Sequence, residues 1–146
     1  MKRHTILSAF AALLVFAGLA CGQRINRTLT VSAGTPVNVG QTLMTGSAVT
    51  TAIPQSVAPV WASRMSLQAL LAANGGVVYV MGGISYGRIP SASGKDLTVI
   101  LAAGTSTAPG GFFSDSDPTA LIDLNGFWID GAHTGDTVQA SCVPKL

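Results

Sequence analysis

The residues best spaced for chemistry are Gly83-Ile84-Ser85-Tyr86-Gly87, which fit the G-x-S-x-G pattern around a nucleophilic serine. Asp123 or Asp130, and then His133, follow in the order of the α/β-hydrolase triad. That chemistry needs the serine at a sharp turn between a strand of a parallel sheet and a helix. The polar, glycine-rich segment around Pro90 cannot form such a helix. A serine hydrolase is therefore a remote alternative, and we predict that the protein is not an enzyme.

Oxygen-bearing side chains gather in the second half of the chain, at Asp115, Asp117, Asp123 and Asn125. Carboxylate and amide oxygens are the ligands that Ca²⁺ prefers. The spacing departs from an EF-hand, because Pro118 follows Asp117 and the chain contains no glutamate to complete the shell. We expect these side chains to cap turns, with calcium as the less favoured alternative. The cysteines and histidines show no zinc spacing, so no cofactor is predicted.

Two adjacent phenylalanines, Phe112 and Phe113, stand among small and polar residues in the segment 104–118, which we predict to be a loop. Neighbouring side chains on an extended chain point opposite ways, so both rings are buried only if a partner covers one of them. In the alternative, one ring fills the end of the domain and the other lies on its surface. Together with Tyr86 in the predicted loop 86–95, these aromatics are our candidate partner contacts.

Composition limits the class of protein. A chain of 146 residues has room for one domain, and its 48% hydrophobic and 10% charged content excludes disorder and a helical bundle. Beyond Cys21, six basic residues balance six aspartates, so the body is neutral. A neutral body lacks the basic stripe that nucleic acid or an anionic membrane surface requires.

The first 22 residues read as an export leader, predicted to be a hydrophobic helix. Lys2, Arg3 and His4 form a basic head, and residues 6–20 are an unbroken run of low polarity that ends in the small Ala20. As a helix this run spans about 23 Å, short of the ~30 Å hydrocarbon core of a membrane. We expect membrane contact only through this leader, and a single domain over residues 24–146.

The two cysteines leave three alternatives open. Cys21 becomes a lipidated N-terminus if cleavage follows Ala20, although Gly18 stands where a lipobox has leucine. A disulfide between Cys21 and Cys142 requires an oxidising compartment. The favoured interpretation makes Cys142 a small buried residue on the last strand.

Past the leader, apolar residues alternate with polar ones, which is typical of strands with one buried face. The longest stretch puts Trp61, Met65, Leu67, Ala69 and Leu71 on one face and Arg64, Ser66 and Gln68 on the other. Further strands are predicted around residues 25–31, 37–39, 77–81, 97–101, 121–124, 127–129 and 137–142.

The turns between these strands complete the predicted fold. Asn74-Gly75-Gly76 predicts a tight hairpin between the strands on either side of it, and Asn125-Gly126 predicts another turn. No segment past the leader shows a sustained helical period with caps. The predicted fold is all-β, an antiparallel β-sandwich or jelly roll.

The second half of the chain resembles small β-sandwich proteins from the structural gene modules of tailed phages. The resemblance lies in the order of Asn74-Gly75-Gly76-Val77-Val78-Tyr79-Val80, then Phe127-Trp128-Ile129-Asp130-Gly131, then Gly135-Asp136-Thr137-Val138. It implies a virion surface or head-decoration protein that is non-enzymatic and oligomeric.

We therefore expect a structural protein that packs against copies of itself or other coat proteins as a homo-oligomer on a virion surface. The alternative is an exported cell-surface or periplasmic binding module, which would be a lipoprotein if Cys21 is lipidated. In that case Phe112, Phe113 and Tyr86 would contact a glycan or a protein.

Overall fold

The computed structural model describes residues 23–70, 76–92, 94–105, 107–117 and 119–145. The predicted leader and Cys21 lie outside the described residues. Along the described chain there are nine strands, one short α-helix and two 3-10 turns. They are β1 (Ile25–Val31), β2 (Val37–Asn38), α1 (Val39–Thr45), β3 (Trp61–Ala69), β4 (Val78–Met81), η1 (Gly94–Asp96), β5 (Leu97–Leu101), β6 (Phe112–Ser116), β7 (Ile122–Asp123), η2 (Leu124–Gly126), β8 (Trp128–Gly131) and β9 (Asp136–Pro144).

The strands form two antiparallel sheets. Sheet I has the order β1-β9-β3-β6, with β7 pairing with the first residues of β3, and sheet II has the order β2-β8-β4-β5. The inner faces share one hydrophobic cluster that includes Leu67 and Ala140 from sheet I and Val80 and Ile129 from sheet II. The predicted all-β antiparallel sandwich is confirmed, because alternate apolar residues of both sheets meet in this core.

A smaller cluster covers part of the other face of sheet II. Met81 and Trp128 are opposite each other on β4 and β8. Their side chains alternate with those of the main core and therefore point to the outer face, where Ile53 and Ile84 pack over them. The loops that carry Ile53 and Ile84 therefore close this outer face, whereas the outer face of sheet I has no such cover among the described residues.

A bulge in β3 changes which side chains enter the core. The register shifts between Ala62 and Arg64, so Ala62 and Met65 are both fully buried although they are three residues apart. Trp61 is 41% exposed. The prediction that Trp61 shares the buried face of Met65 is therefore wrong, and Leu71 lies outside the described residues.

The predicted hairpin between β3 and β4 is also wrong. β3 pairs with β9, β6 and β7, and β4 pairs with β8 and β5, so the chain crosses from one sheet to the other. Glycine permits a tight turn but does not dictate which strand the next segment joins. Residues 71–75 of this connection lie outside the described residues.

One helix was not predicted. The predicted strand around Val37 and Val39 ends at Asn38, whose side-chain oxygen accepts the Gln41 N–H at 2.9 Å and caps α1. Gly46 ends the helix with φ +80°, and its N–H donates to the Thr42 carbonyl at 2.9 Å. Strong caps thus stabilise a helix too short to show a periodic pattern.

Candidate functional site

The two adjacent phenylalanines lie on a strand, so the predicted loop over residues 104–118 is wrong. β6 forms the edge of sheet I, where Phe113 is opposite Leu67 and Phe112 is opposite Gln68. The Phe113 ring lies 6.2 Å from the ring of Phe127 and packs against the core. Phe112 is 61% exposed. One ring therefore fills the sandwich and the other lies on the surface.

Tyr86, the third candidate contact, is tied into the protein. Its hydroxyl donates to the Asp123 carboxylate at 2.7 Å and accepts from the Asn125 amide at 3.1 Å. Burial, together with the hydrogen bond to Asp123, raises the pKa of Tyr86 above its usual value. One side of the ring still lines a surface cavity of about 460 Å³ with Ser85 and Val57.

Sequence reasoning missed the polar network to which Tyr86 belongs. Asn125 is 2% exposed, and its amide nitrogen also donates to the Ala58 carbonyl, while its amide oxygen accepts from Gln41. Asn38, fully buried, donates to the main-chain oxygen of Asn125 at 2.8 Å. The sequence feature that could have indicated this network is the spacing of Asn38 and Gln41, which is that of a helix capping box. Because every contact joins one segment of the chain to another, the network holds α1 and η2 in place.

The four candidate calcium ligands do not converge. Asp115 is opposite Met65 and Asp123 is opposite Trp61, four positions apart on β3, which corresponds to about 13 Å. Asp117 instead accepts hydrogen bonds from the next turn, and the Thr119 hydroxyl holds the pKa of Asp117 below its usual range. Within the described ranges, no three His, Cys or Asp side chains are placed to hold a metal ion.

The G-x-S-x-G residues and His133 are also separated. Met81 pairs with Trp128 and Val78 pairs with Gly131, so Ser85 follows β4 at one end of this strand pair and His133 follows β8 at the other. Residues 82–92 form turns and bends rather than a helix. The fold therefore does not assemble the triad on which the hydrolase alternative depends.

Cys142 lies on β9, where it is 2% exposed and forms no disulfide with another described residue. Burial raises the pKa of its thiol. The interpretation of Cys142 as a small buried residue of the core is confirmed.

The most regular surface feature is the outer face of sheet I, whose polar side chains are exposed or half-buried except for Ser141, which is buried. Strand register aligns its side chains in rows of hydroxyl and amide groups across all four strands. We call this surface the hydroxyl–amide face. Its members are Asn26, Thr28 and Thr30 of β1, Thr137, Gln139 and Ser141 of β9, Ser66 and Gln68 of β3, and Ser114 and Ser116 of β6. Arg64, opposite Ser116, lies on the same side of the sheet, and the Arg24 guanidinium donates to the Ser141 hydroxyl at 3.0 Å.

Hydrogen bonds run between neighbouring strands of this face. Thr28 donates to the Gln139 amide oxygen at 3.0 Å, and the Gln139 amide nitrogen donates to Asn26 at 2.6 Å. The hydroxyls of Ser66 and Ser141 lie 2.7 Å apart. These bonds fix the rotamers of a surface that would otherwise be loosely ordered.

An apolar pair lies at one end of sheet I, beside the bulge. Trp61 is 41% and Leu121 is 45% exposed, and each alternates with a buried neighbour, Ala62 or Ile122. Because Trp61 is opposite Asp123, Leu121 lies in the diagonal position, within reach of the indole on the same face. We call this pair the Trp61 patch.

Charged side chains mark both edges of sheet I. Arg27 of β1 is opposite the buried Ala140, and Asp115 of β6 is opposite the buried Met65, so register directs both toward the inner side. Arg27 donates to the Leu43 carbonyl of α1 at 2.8 Å. Inward charges on edge strands oppose the addition of a further strand.

The chain matches no protein-family model, and no curated protein matches it in sequence. Among the residues described above, no helix is long and apolar enough to span a membrane.

Proposed function

We propose that the protein is a non-enzymatic structural module that packs against copies of itself and neighbouring coat proteins on a virion surface. The Trp61 patch is the observation that carries this proposal. Exposed tryptophan beside an exposed leucine is costly in water and is typical of the energetic centre of a protein interface. Arg64, the first paired residue after the bulge, adds a residue type enriched at such interfaces.

The protected edges support face-to-face packing. Arg27 and Asp115 are directed toward the inner side of sheet I. A further strand added at β1 or β6 would disturb the position of one of these charged side chains. Contacts between the outer faces of two subunits leave the edge charges in place. We therefore expect subunits to associate through side chains rather than by continuing a sheet.

The order of the strands also supports the proposal. Without the two-residue β7, eight strands are divided equally between two sheets ordered β1-β9-β3-β6 and β2-β8-β4-β5. We infer this arrangement to be a jelly roll. Jelly rolls occur in viral capsid domains and in lectins. This is an analogy at the level of the fold, and it favours a coat role without specifying one.

Sedimentation velocity over a concentration series tests the assembly proposal. We expect the wild-type protein to self-associate and Trp61→Ala to weaken association by about tenfold. Ile100→Ala is the matched control, because Ile100 is 51% exposed on sheet II, away from the patch. A wild-type protein that stays monomeric, or an equal effect of Ile100→Ala, would overturn the proposal.

The hydroxyl–amide face favours a second candidate function, the exported binding module. Its hydroxyl and amide side chains offer hydrogen bonds to a ligand, and the row from Thr28 through Gln139 and Gln68 to Phe112 offers them without charge. Intact mass separates the two settings. Retention of the leader favours a protein kept in a particle, loss of about twenty residues favours export, and added lipid on Cys21 favours anchoring.

A further inference from the structure

We propose that the hydroxyl–amide face binds a neutral, extended polysaccharide, with Phe112 packing against the apolar side of a sugar ring. This inference deepens the binding-module alternative and does not depend on self-assembly. It rests on the juxtaposition of hydroxyls, amides and one exposed aromatic residue on the outer face of sheet I.

The first support is the chemistry of the hydrogen-bonding groups. Hydroxyl and amide side chains both donate and accept, and a sugar hydroxyl does the same. The bonds from Thr28 to Gln139 and from Gln139 to Asn26 orient these groups before any ligand arrives. Gln68, next in the row, makes no side-chain hydrogen bond with another described residue, so its amide is available to a ligand.

The second support is the position of Phe112. Its ring is 61% exposed and lies directly opposite Gln68, so an apolar surface borders the row of amides. A pyranose ring has apolar faces and a polar rim. A sugar lying over Phe112 would therefore cover the exposed ring while its hydroxyls reach Gln68 and Gln139.

Charge and area decide between occupants. The row that runs from Thr28 through Gln139 and Gln68 to Phe112 carries no charge, which fits a neutral ligand, whereas Arg64 and Arg24 bring positive charge to the other end of the face. Four strands about 4.8 Å apart, with an average length of about seven residues, outline roughly 450 Å² of surface. A standard protein interface needs about 800 Å² from each partner. The face is thus smaller than a standard interface and suits a ligand one chain wide, and the extended row of side chains from Thr28 to Phe112 favours an extended ribbon over a helical glycan.

Calorimetric titration of the purified protein with cellohexaose, a neutral extended oligosaccharide, tests the inference. We expect saturable binding that Phe112→Ala weakens about tenfold and Gln68→Ala weakens severalfold. Ile100→Ala, on the other sheet, is expected to bind like the wild type. Circular dichroism and thermal unfolding establish that each variant is folded before it is titrated.

Three outcomes would overturn the inference. They are an absence of binding to cellohexaose, equal losses in Phe112→Ala and Ile100→Ala, and tighter binding of the charged hexagalacturonate than of the neutral hexamer. Sedimentation of the same variants separates the two proposals. If Phe112→Ala sediments like the wild type but loses the sugar, sugar binding stands whether or not the protein self-associates.

Discussion

Trp61 and Met65 lie four residues apart on β3 and point to opposite faces of sheet I. The bulge between them puts Met65 in the core and leaves Trp61 on the surface. We expect Met65→Ala to lower the free energy of unfolding by about 3 kcal/mol, because it leaves a cavity. Trp61→Ala should cost about 1 kcal/mol, despite the larger side chain removed. Urea unfolding followed by circular dichroism measures both, and equal costs would contradict the bulge.

Phe112 and Phe113 offer a matched pair for a second prediction. Phe113 contacts Phe127 and the core, so Phe113→Ala should lower the free energy of unfolding by about 2 to 3 kcal/mol. Phe112→Ala should change it by less than about 0.5 kcal/mol, because the ring is exposed. The same unfolding experiment checks both. A large cost at Phe112 would show that its ring serves stability rather than contact with a ligand or partner.

These two pairs show which parts of the fold can be predicted from the sequence. The alternation that predicts β9 is local, because Val138, Ala140 and Cys142 face one way whatever strands lie beside them. The bulge in β3 and the crossing from β3 to β4 depend on partners far along the chain. Single-strand patterns carry no information about those partners, so the exposure of Trp61 and the sheet order were beyond prediction.

The candidate surfaces also differ in how far the sequence predicts them. Two adjacent phenylalanines could be noticed in the sequence, and strand geometry alone requires their opposite directions. The hydroxyl–amide face could not be predicted, since Thr28, Gln68, Phe112 and Gln139 meet only through the pairing of four strands. Each of these polar residues looked like an ordinary exposed position of its own strand.

Asn38 should be the most sensitive polar residue of the buried network. Asn38→Ala removes the cap of α1 and the bond to the main-chain oxygen of Asn125, so we expect a loss of about 2 to 3 kcal/mol. Asn38→Ser keeps a capping oxygen and should recover about 1 kcal/mol of that loss. Thr45→Ala, at the exposed end of the same helix, is the control and should cost less than about 0.5 kcal/mol. Urea unfolding that fails to separate Asn38→Ala from Thr45→Ala would refute the role assigned to Asn38.

Asp96 and Arg88 give the protein an acid-sensitive contact. Two hydrogen bonds of 2.8 Å join the guanidinium to the carboxylate, and this guanidinium holds the pKa of Asp96 below its usual range. A carboxyl whose pKa is lower in the folded state stabilises the fold above the unfolded pKa of about 3.9 and loses that contribution as the pH falls through the folded value.

We therefore expect the stability difference between wild type and Asp96→Asn to be constant above about pH 5 and to shrink below about pH 4. Arg88→Ala should show the same pH course, because it removes the partner that lowers the pKa of Asp96. Urea unfolding at several pH values between about 3 and 7 measures both differences. If wild type and Asp96→Asn lose stability in parallel on acidification, then the ion pair makes no pH-dependent contribution to this fold.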